Sequence, residues 1–316
     1  MNDIALFISL KQYLFSIVYR ITGSYQDSED IIQESYLRFQ KLRLGEISNL
    51  KAYLGKMVAH LAYDLLKKAA RRKETYIGPY LPEPIPTIQE GGSTDQIDFA
   101  FLVILERLNP IERAVYILRE AFDFEYEWIS EIVGKKPENC RQVLKRAKTS
   151  LKDRKSKFTT SETIRAELLD EFIYACYSKD ATKLSSLMRE EIISYSDGGG
   201  KVHAARIPIS GLERTVRFLI KTSANRGTAD SFYFTQANGK KAVIGYKDNV
   251  PTFLQYLQLE EDRISKVYTI LNPEKLRAFA NIDKLKEAGL LRKLYLSHFL
   301  RLYFRDFFSA FWNRKK

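Results

Sequence analysis

Apolar positions recur every three or four residues over Ile4–Tyr19, Ile31–Phe39 and Ala52–Leu66, which predicts a helical block over residues 4–75. Asp27-Ser-Glu-Asp-Ile-Ile-Gln-Glu34 places carboxylates at the start of one helix, where the helix dipole favours negative charge. Leu44-Gly-Glu-Ile-Ser-Asn49 breaks the spacing and reads as a loop. Between Ile77 and Thr87 four prolines remove donors and fix φ, and Gly91-Gly92 follows, so residues 76–96 read as a linker between two helical modules.

Residues 97–157 form the second module, which ends in a helix, a glycine turn and a basic helix. Ile129, Ile132 and Val133 line one face of the first of these, and Gly134 permits the reversal. Pro137 suits the opening turn of the next helix, where a missing N–H costs nothing. Val143, Leu144, Ala147 and Leu151 give that helix an apolar stripe, with Arg141, Gln142, Lys145, Arg146 and Lys148 outside it. This is the shape of a helix-turn-helix, whose second helix enters the DNA major groove.

After Thr159 the texture changes. Helical spacing at Thr163–Tyr177 and Ala181–Met188 precedes β-like runs at Ile192–Ser196, Ser231–Gln236, Lys241–Lys247, Thr252–Glu260 and Arg263–Ile270, parted by Gly, Asn and Asp turns. These predict an α+β domain with a curved antiparallel sheet. Residues 283–313 return to helical spacing.

Charge sharpens the picture. The formal net charge of +12 is unevenly placed: residues 51–73 hold seven Lys/Arg against one Asp, 135–157 ten against two acids, and 284–316 nine against two. The rest of the chain is net acidic. Phosphate backbones attract local cation clusters of this kind. Two cysteines, Cys140 and Cys176, argue against a disulfide framework and fit a reducing cytoplasm. No secretory leader opens the chain, no uninterrupted apolar run is long enough to span a bilayer, and His60, His203 and His298 lack metal-ligand spacing. Neither metal nor cofactor is expected.

Several segments resemble an extracytoplasmic-function (ECF) sigma factor, the subunit that directs bacterial RNA polymerase to promoters. Tyr19-Arg-Ile-Thr-Gly-Ser-Tyr-Gln-Asp-Ser-Glu-Asp-Ile-Ile-Gln-Glu34 and Ala59-His-Leu-Ala-Tyr-Asp-Leu-Leu-Lys-Lys-Ala-Ala-Arg-Arg72 are similar to region 2. Leu108-Asn-Pro-Ile-Glu-Arg-Ala-Val-Tyr-Ile-Leu-Arg-Glu120 and the helix-turn-helix are similar to region 4. Tyr76-Ile-Gly-Pro-Tyr-Leu-Pro-Glu-Pro84, Asp197-Gly-Gly-Gly-Lys201 and Asn272-Pro-Glu-Lys-Leu276 resemble the signatures of the subgroup with a fused SnoaL-like domain, although Tyr80 stands where tryptophan is usual. The resemblance covers residues 5–276.

It implies a multidomain chain: an all-α sigma region 2 over 1–75, the linker 76–96 and an all-α region 4 over 97–157. An α+β SnoaL-like, or NTF2-like, cone follows over 161–276; the basic aromatic tail over 277–316, read from its own spacing as an amphipathic helix, lies outside the resemblance. It places Asp27, Asp30, Gln33 and Glu34 against a basic coiled coil of the polymerase clamp, with region 4 on the flap. Lys67, Lys68, Arg71 and Arg72 would track the melted strand, and the loop with Glu46, Ser48 and Asn49 would receive a flipped base of the minus-ten element. Glu138, Asn139, Arg141, Gln142, Lys145 and Arg146 become the duplex readers at minus thirty-five, Arg suiting guanine and Asn or Gln adenine. Lys135, Lys136, Lys148 and Lys152 suit phosphates.

Tyr80, Pro82, Glu83 and Pro84, with Asp197, Gly198, Gly199, Gly200, Lys201, Asn272, Pro273 and Lys275, become regulatory positions through which the cone contacts the sigma modules. SnoaL-like folds also include isomerases and cyclases, but Asp170, Asp197 and His203 form no acid/base pair by spacing, so a non-enzymatic role is expected. A simple helix-turn-helix repressor is a third reading. In the tail, Ser297, His298, Arg301, Arg305 and Ser309 form a polar stripe amid aromatic bulk, suiting the protein's own domains better than a membrane surface.

Overall fold

The periodic stretches of the first 152 residues become helices α1 (Asp3–Thr22), α2 (Tyr25–Phe39), α3 (Leu50–Lys73), α4 (Phe99–Leu105), α5 (Pro110–Glu120), α6 (Tyr126–Val133) and α7 (Pro137–Lys152). The computed structural model describes residues 3–42, 47–87, 98–152, 162–225 and 229–294. Local chemistry starts and stops these helices. Ser24 caps α2 by accepting from the Asp27 N–H, and Asn109 and Glu112 close a capping box at α5. Gly134 ends α6 in a left-handed conformation, φ 65°.

Residues 1–85 and 89–157 belong to one compact unit. Leu14, Ile17, Leu54 and Val58 from before the linker and Ile117, Leu118, Ile129 and Val143 from after it share a single apolar core. The reason is that α3 is apolar on more than one side: it packs on α1 and α2 and also on α5 and α6. The blocks read from sequence as two modules are therefore not two separate cores. One helix among the described residues, Ile4–Thr22, is long and apolar enough by length and composition to cross a membrane, although Lys11 and Arg20 interrupt its apolar run. Its Leu14, Ile17, Val18 and Ile21 are buried in this core.

The second unit comprises residues 158–316 together with the short segment from Pro86. Its elements are α8 (Glu162–Ser178), α9 (Ala181–Leu187), β1 (Met188–Asp197), β2 (Ile209–Ser210), α10 (Leu212–Asn225), β3 (Ser231–Ala237), β4 (Lys240–Lys247), β5 (Val250–Glu260) and β6 (Arg263–Ile270). A 3-10 turn (Pro273–Phe279), α11 (Ile282–Glu287) and β7 (Leu291–Lys293) follow. The sheet order is β2-β1-β6-β5-β4-β3-β7. β3 to β6 form the antiparallel meander that the alternation predicted. β1, however, runs parallel to β6, with Tyr195 opposite Tyr268, so the sheet is mixed rather than antiparallel. The long stretch from β1 to β6 supplies the crossover that parallel pairing requires. Phe172, Leu187, Val216, Phe253 and Val267 from helices and sheet fill the core between them.

Two further differences concern the ends. Where one long helix was expected from 283, Gly289 at φ 68° stops α11, and β7 adds to the sheet edge with Arg292 opposite Phe234. Residues 295–316, which carry the amphipathic stripe, lie outside the described residues. At the other end, Pro86 bridges Ala237, the Thr87 N–H donates to the Gln236 carbonyl at 2.9 Å, and the Gly239 N–H donates to Thr87 Oγ1 at 2.7 Å. The end of the proline segment is thus a strand addition to the second unit.

Candidate nucleic-acid and polymerase interface

The helix-turn-helix is built by burial on one side only. Ile129, Ile132, Val133, Val143, Leu144 and Ala147 are buried, while Glu138, Asn139, Arg141, Gln142, Lys145 and Arg146 are all exposed. The six readers proposed from sequence therefore share the solvent face of α7. The Arg141 guanidinium lies 4.6 Å from the centre of the Tyr126 ring, a contact that orients it from the preceding helix. Lys135 and Lys136 are exposed at the turn. Lys148, by contrast, pairs with Glu120 at 2.8 Å, and that hydrogen bond raises its pKa. Cys140 is fully buried, and burial pushes its thiol pKa up, as suits a packing residue.

On α3 the cations are less uniform. Lys68 is exposed, but Lys67 sits 2.7 Å from Asp64, with its ammonium 4.6 Å from the centre of the Tyr63 ring. The Lys67 hydrogen bond holds the Asp64 carboxyl below its ordinary range. Arg71 and Arg72 belong to the last turns of α3, and their side chains lie outside the described residues, as does Glu46. Ser48 is exposed. Asn49 caps α3, its Oδ1 accepting from the Ala52 N–H at 3.0 Å.

On α2, Asp30, Gln33 and Glu34 are exposed, Glu34 pairing with Arg38 one turn on, whereas Asp27 is half-buried in the first turn. Glu83 from the proline segment crowns the same helix. Its carboxylate accepts from the Tyr25 N–H at 2.8 Å, the Gln26 N–H at 3.2 Å and Ser24 Oγ at 3.0 Å. An anion at a helix N-terminus meets both unpaired donors and a favourable dipole. Tyr19 donates its hydroxyl to the Glu83 carbonyl at 2.5 Å, and Pro82 and Pro84 are buried. Tyr80 is half-buried, and its phenol is held well above the usual range by burial first and then by the nearby Glu106 and Glu83 charges.

Sequence reasoning missed the residue at the centre of this seam. Arg113 is 1% exposed; it meets Glu106 at 2.5 Å and donates to the Arg20 carbonyl at 3.1–3.2 Å, joining α5 to the end of α1. A lone Arg inside the apolar stripe Ile111–Leu118 was the available signal.

In the second unit, Asp197 and Lys275 form a buried ion pair. Asn272 caps the 3-10 turn through the Glu274 N–H, and Lys201 pairs with Glu274. The two C-terminal signatures therefore make one knot: Asp197, Gly198, Lys201, Asn272 and Lys275 meet there, with Gly199 and Gly200 at φ 59° and 72° turning the chain and Pro273 starting the 3-10 turn. The candidate catalytic groups are not brought together. Asp170 bonds Lys241 at 3.0 Å, Asp197 bonds Lys275, and His203 is exposed. A small cavity among Ile173, Cys176, Val243 and Phe253 measures about 20 Å³, room for about one water. Among the described residues no group of three or more His, Cys, Asp and Glu could hold a metal ion.

The comparisons agree with this architecture. The Sigma-70 region 2 family matches residues 6–72, and the Sigma-70 region 4 family matches residues 98–151. The ECF RNA polymerase sigma factor SigJ of Mycobacterium tuberculosis is 26% identical over 86% of this chain and 93% of its own length. SigG of the same species is 24% identical over 87% of this chain and 82% of its own. The crystal structure of SigJ superposes with a TM-score of 0.69 at 25% identity, covering 87% of this chain and 98% of that one. That coverage takes in the second unit as well as the helices. Regions 2 and 4 are thus followed by an α+β domain in a chain similar to SigJ over most of both lengths, and the chain is an extracytoplasmic-function sigma factor.

Proposed function

We propose that this sigma factor, which directs RNA polymerase to promoters, divides the task among three surfaces. The exposed Asp30, Gln33 and Glu34 stripe of α2, with Asp27 at its root, meets the basic clamp of core polymerase, while region 4 meets the flap. Such rim charges steer association and set orientation, and they weaken with salt. The Ser48–Asn49 loop and the cations of α3, Lys67, Lys68, Arg71 and Arg72, receive the melted minus-ten strand. The outer face of α7 reads the minus-thirty-five duplex.

The observation that carries this reading is the one-sided burial of α7: six polar side chains stand outward on a helix whose opposite stripe is locked into the core. The second unit modulates this activity rather than catalysing a reaction, because its inviting carboxylates are committed to Lys241 and Lys275. The linker signature Tyr80, Pro82, Glu83 and Pro84 transmits that modulation. The setting is the cytoplasm, where polymerase and chromosome are, and the tail docks on the protein's own domains rather than on a membrane.

Run-off transcription with core polymerase tests the whole. The full chain should confer promoter-dependent transcripts, and truncation near residue 160 should change their level. Failure of the full chain to co-purify with core polymerase would overturn the proposal, and unchanged output from the truncation would remove the modulatory role. Co-sedimentation of the full chain with anionic liposomes would overturn the assignment of the tail.

A further inference from the structure

Of the six polar side chains on the outer face of α7, one is held in place. The Arg141 guanidinium lies over the Tyr126 ring, 4.6 Å from its centre. Among the described residues, the side chains of Glu138, Asn139, Gln142, Lys145 and Arg146 make no hydrogen bond, ion pair or ring contact. Arg141 pairs with no carboxylate there either, so its N–H groups stay available to a base edge.

Tyr126 is itself fixed from two directions. It is the first residue of α6, half-buried, and its ring packs against the core of the first unit. Arg119 of α5 lies 5.1 Å from the centre of the same ring. That guanidinium donates to the Phe124 carbonyl at 2.9 Å and pairs with Asp123 at 3.1 Å and with Glu125 at 3.8 Å. Glu125 is the N-cap residue of α6 and makes no side-chain cap bond; its carboxylate faces Arg119 instead. The turn between α5 and α6 thus anchors the ring, and the ring holds Arg141.

The consequence follows from what a base edge demands. Arginine recognises guanine through two parallel N–H donors, so its plane must be aligned as well as near. A free arginine samples many rotamers and loses that freedom on binding. Stacking on a fixed ring removes part of that loss beforehand. Arg141 stands one turn into α7, in the N-terminal stretch that reaches base edges in a helix-turn-helix.

We propose that Tyr126, backed by Arg119, is a positioning residue for promoter reading, and that the base pair under Arg141 is the most sharply discriminated of the minus-thirty-five element. The proposal rests on the assignment of α7 to that duplex under the proposed function. It goes further by ranking the six side chains and by giving a part in specificity to a residue that acts through another.

Full-length variants with core polymerase are tested on a promoter that the wild-type holoenzyme selects from chromosomal fragments, and on every single-base change in its minus-thirty-five element. Loss of discrimination in Arg141→Ala identifies the base pair that Arg141 reads, which should be the one where the wild type discriminates most. Tyr126→Leu keeps an apolar side chain against the core and removes no charge, so the slope of log affinity against log salt should stay unchanged. Discrimination at the Arg141 base pair alone should fall by about two- to fivefold, the size of an exposed cation–π contact. Tyr126→Phe retains the ring and should discriminate as the wild type does. Tyr126→Leu added to Arg141→Ala should change nothing further. Full discrimination at that base pair in Tyr126→Leu would overturn the positioning role; so would an equal loss at every base pair, or the same loss in Tyr126→Phe. If Arg141→Ala left discrimination intact throughout, the base-reading assignment of Arg141 would itself fall, and the proposal with it.

Discussion

Lys275 Nζ lies 2.8 Å from Asp197 Oδ2, and the two side chains are 5% and 0% exposed. The pair joins the end of β1 to the turn after β6, where the Asp197 carbonyl also accepts from the Leu271 and Asn272 N–H groups at 2.7 and 2.9 Å. Two segments that look like separate signatures in the sequence are one structural element.

Removing one partner strands a charge away from water. Lys275→Met is expected to cost about 3–5 kcal/mol, whereas replacing both, Asp197→Leu with Lys275→Met, should recover most of that loss. Urea denaturation of the full-length variants measures both. If the double variant were as unstable as the single one, the ion pair would not be the source of the cost.

The glycine run beside it is not uniform. A Cβ on Gly198 would lie 2.3 Å from the Val202 carbonyl oxygen and 2.8 Å from Ala204 Cβ, so backbone would have to move. Gly199 turns with φ 59°, where alanine meets the ordinary left-handed penalty of about 1 kcal/mol. Gly198→Ala should therefore lower the melting temperature more than Gly199→Ala does; the reverse order would refute the close-contact argument.

How much of this was legible depends on the range of the interaction. The meander strands and the two helices around Gly134 follow local periodicity and turn chemistry and stand close to where the spacing put them, whereas the equally local caps at Ser24 and Asn109 were not read. Parallel pairing of β1 with β6, the strand at Leu291–Lys293 and the shared core of the two helical blocks depend on partners far along the chain. Periodicity carries no information about those. The outward face of α7 was readable because its inward stripe was. The pairing of Asp197 with Lys275, of Arg113 with the Arg20 carbonyl and of Lys56 with Glu131 was not, since no spacing rule connects residues that only tertiary folding brings together. Amphipathic α10 was locally legible from Leu212, Val216 and Leu219 and was overlooked.

Glu83 gives the proline segment a stabilising task. Glu83→Ala removes an acceptor from three donors at the start of α2 and should cost about 1 kcal/mol, in the range of other N-terminal caps. Hydrogen exchange at the Tyr25 and Gln26 amides should quicken in the variant. Unchanged exchange there would show that the cap carries no weight.

Tyr80 predicts a pH dependence at the alkaline end. Its phenol pKa is raised by burial and by the Glu106 and Glu83 charges, so the folded chain keeps this proton after the unfolded chain has lost it. The stabilisation is complete below the unfolded value of about 10 and is lost as pH rises from there toward the folded value. Tyr80→Phe should flatten the fall in stability above about pH 10, followed by urea denaturation at successive pH values. An identical slope in the variant would rule out Tyr80 as its source.

Sequence-specific and sequence-blind contacts on α7 should separate by their response to salt. Arg141 is exposed, oriented by Tyr126 and shaped for a guanine edge, so Arg141→Ala should cost about 1–3 kcal/mol and relax discrimination at one base pair. Lys136 stands at the turn and has no such orientation. Lys136→Ala should weaken binding similarly on all sequences and reduce the slope of log affinity against log salt by about one. Both are measured with the holoenzyme on minus-thirty-five duplexes across a salt series. If Arg141→Ala changed only the salt slope, then Arg141 would be a phosphate contact and base reading would have to come from Glu138, Asn139, Gln142, Lys145 or Arg146.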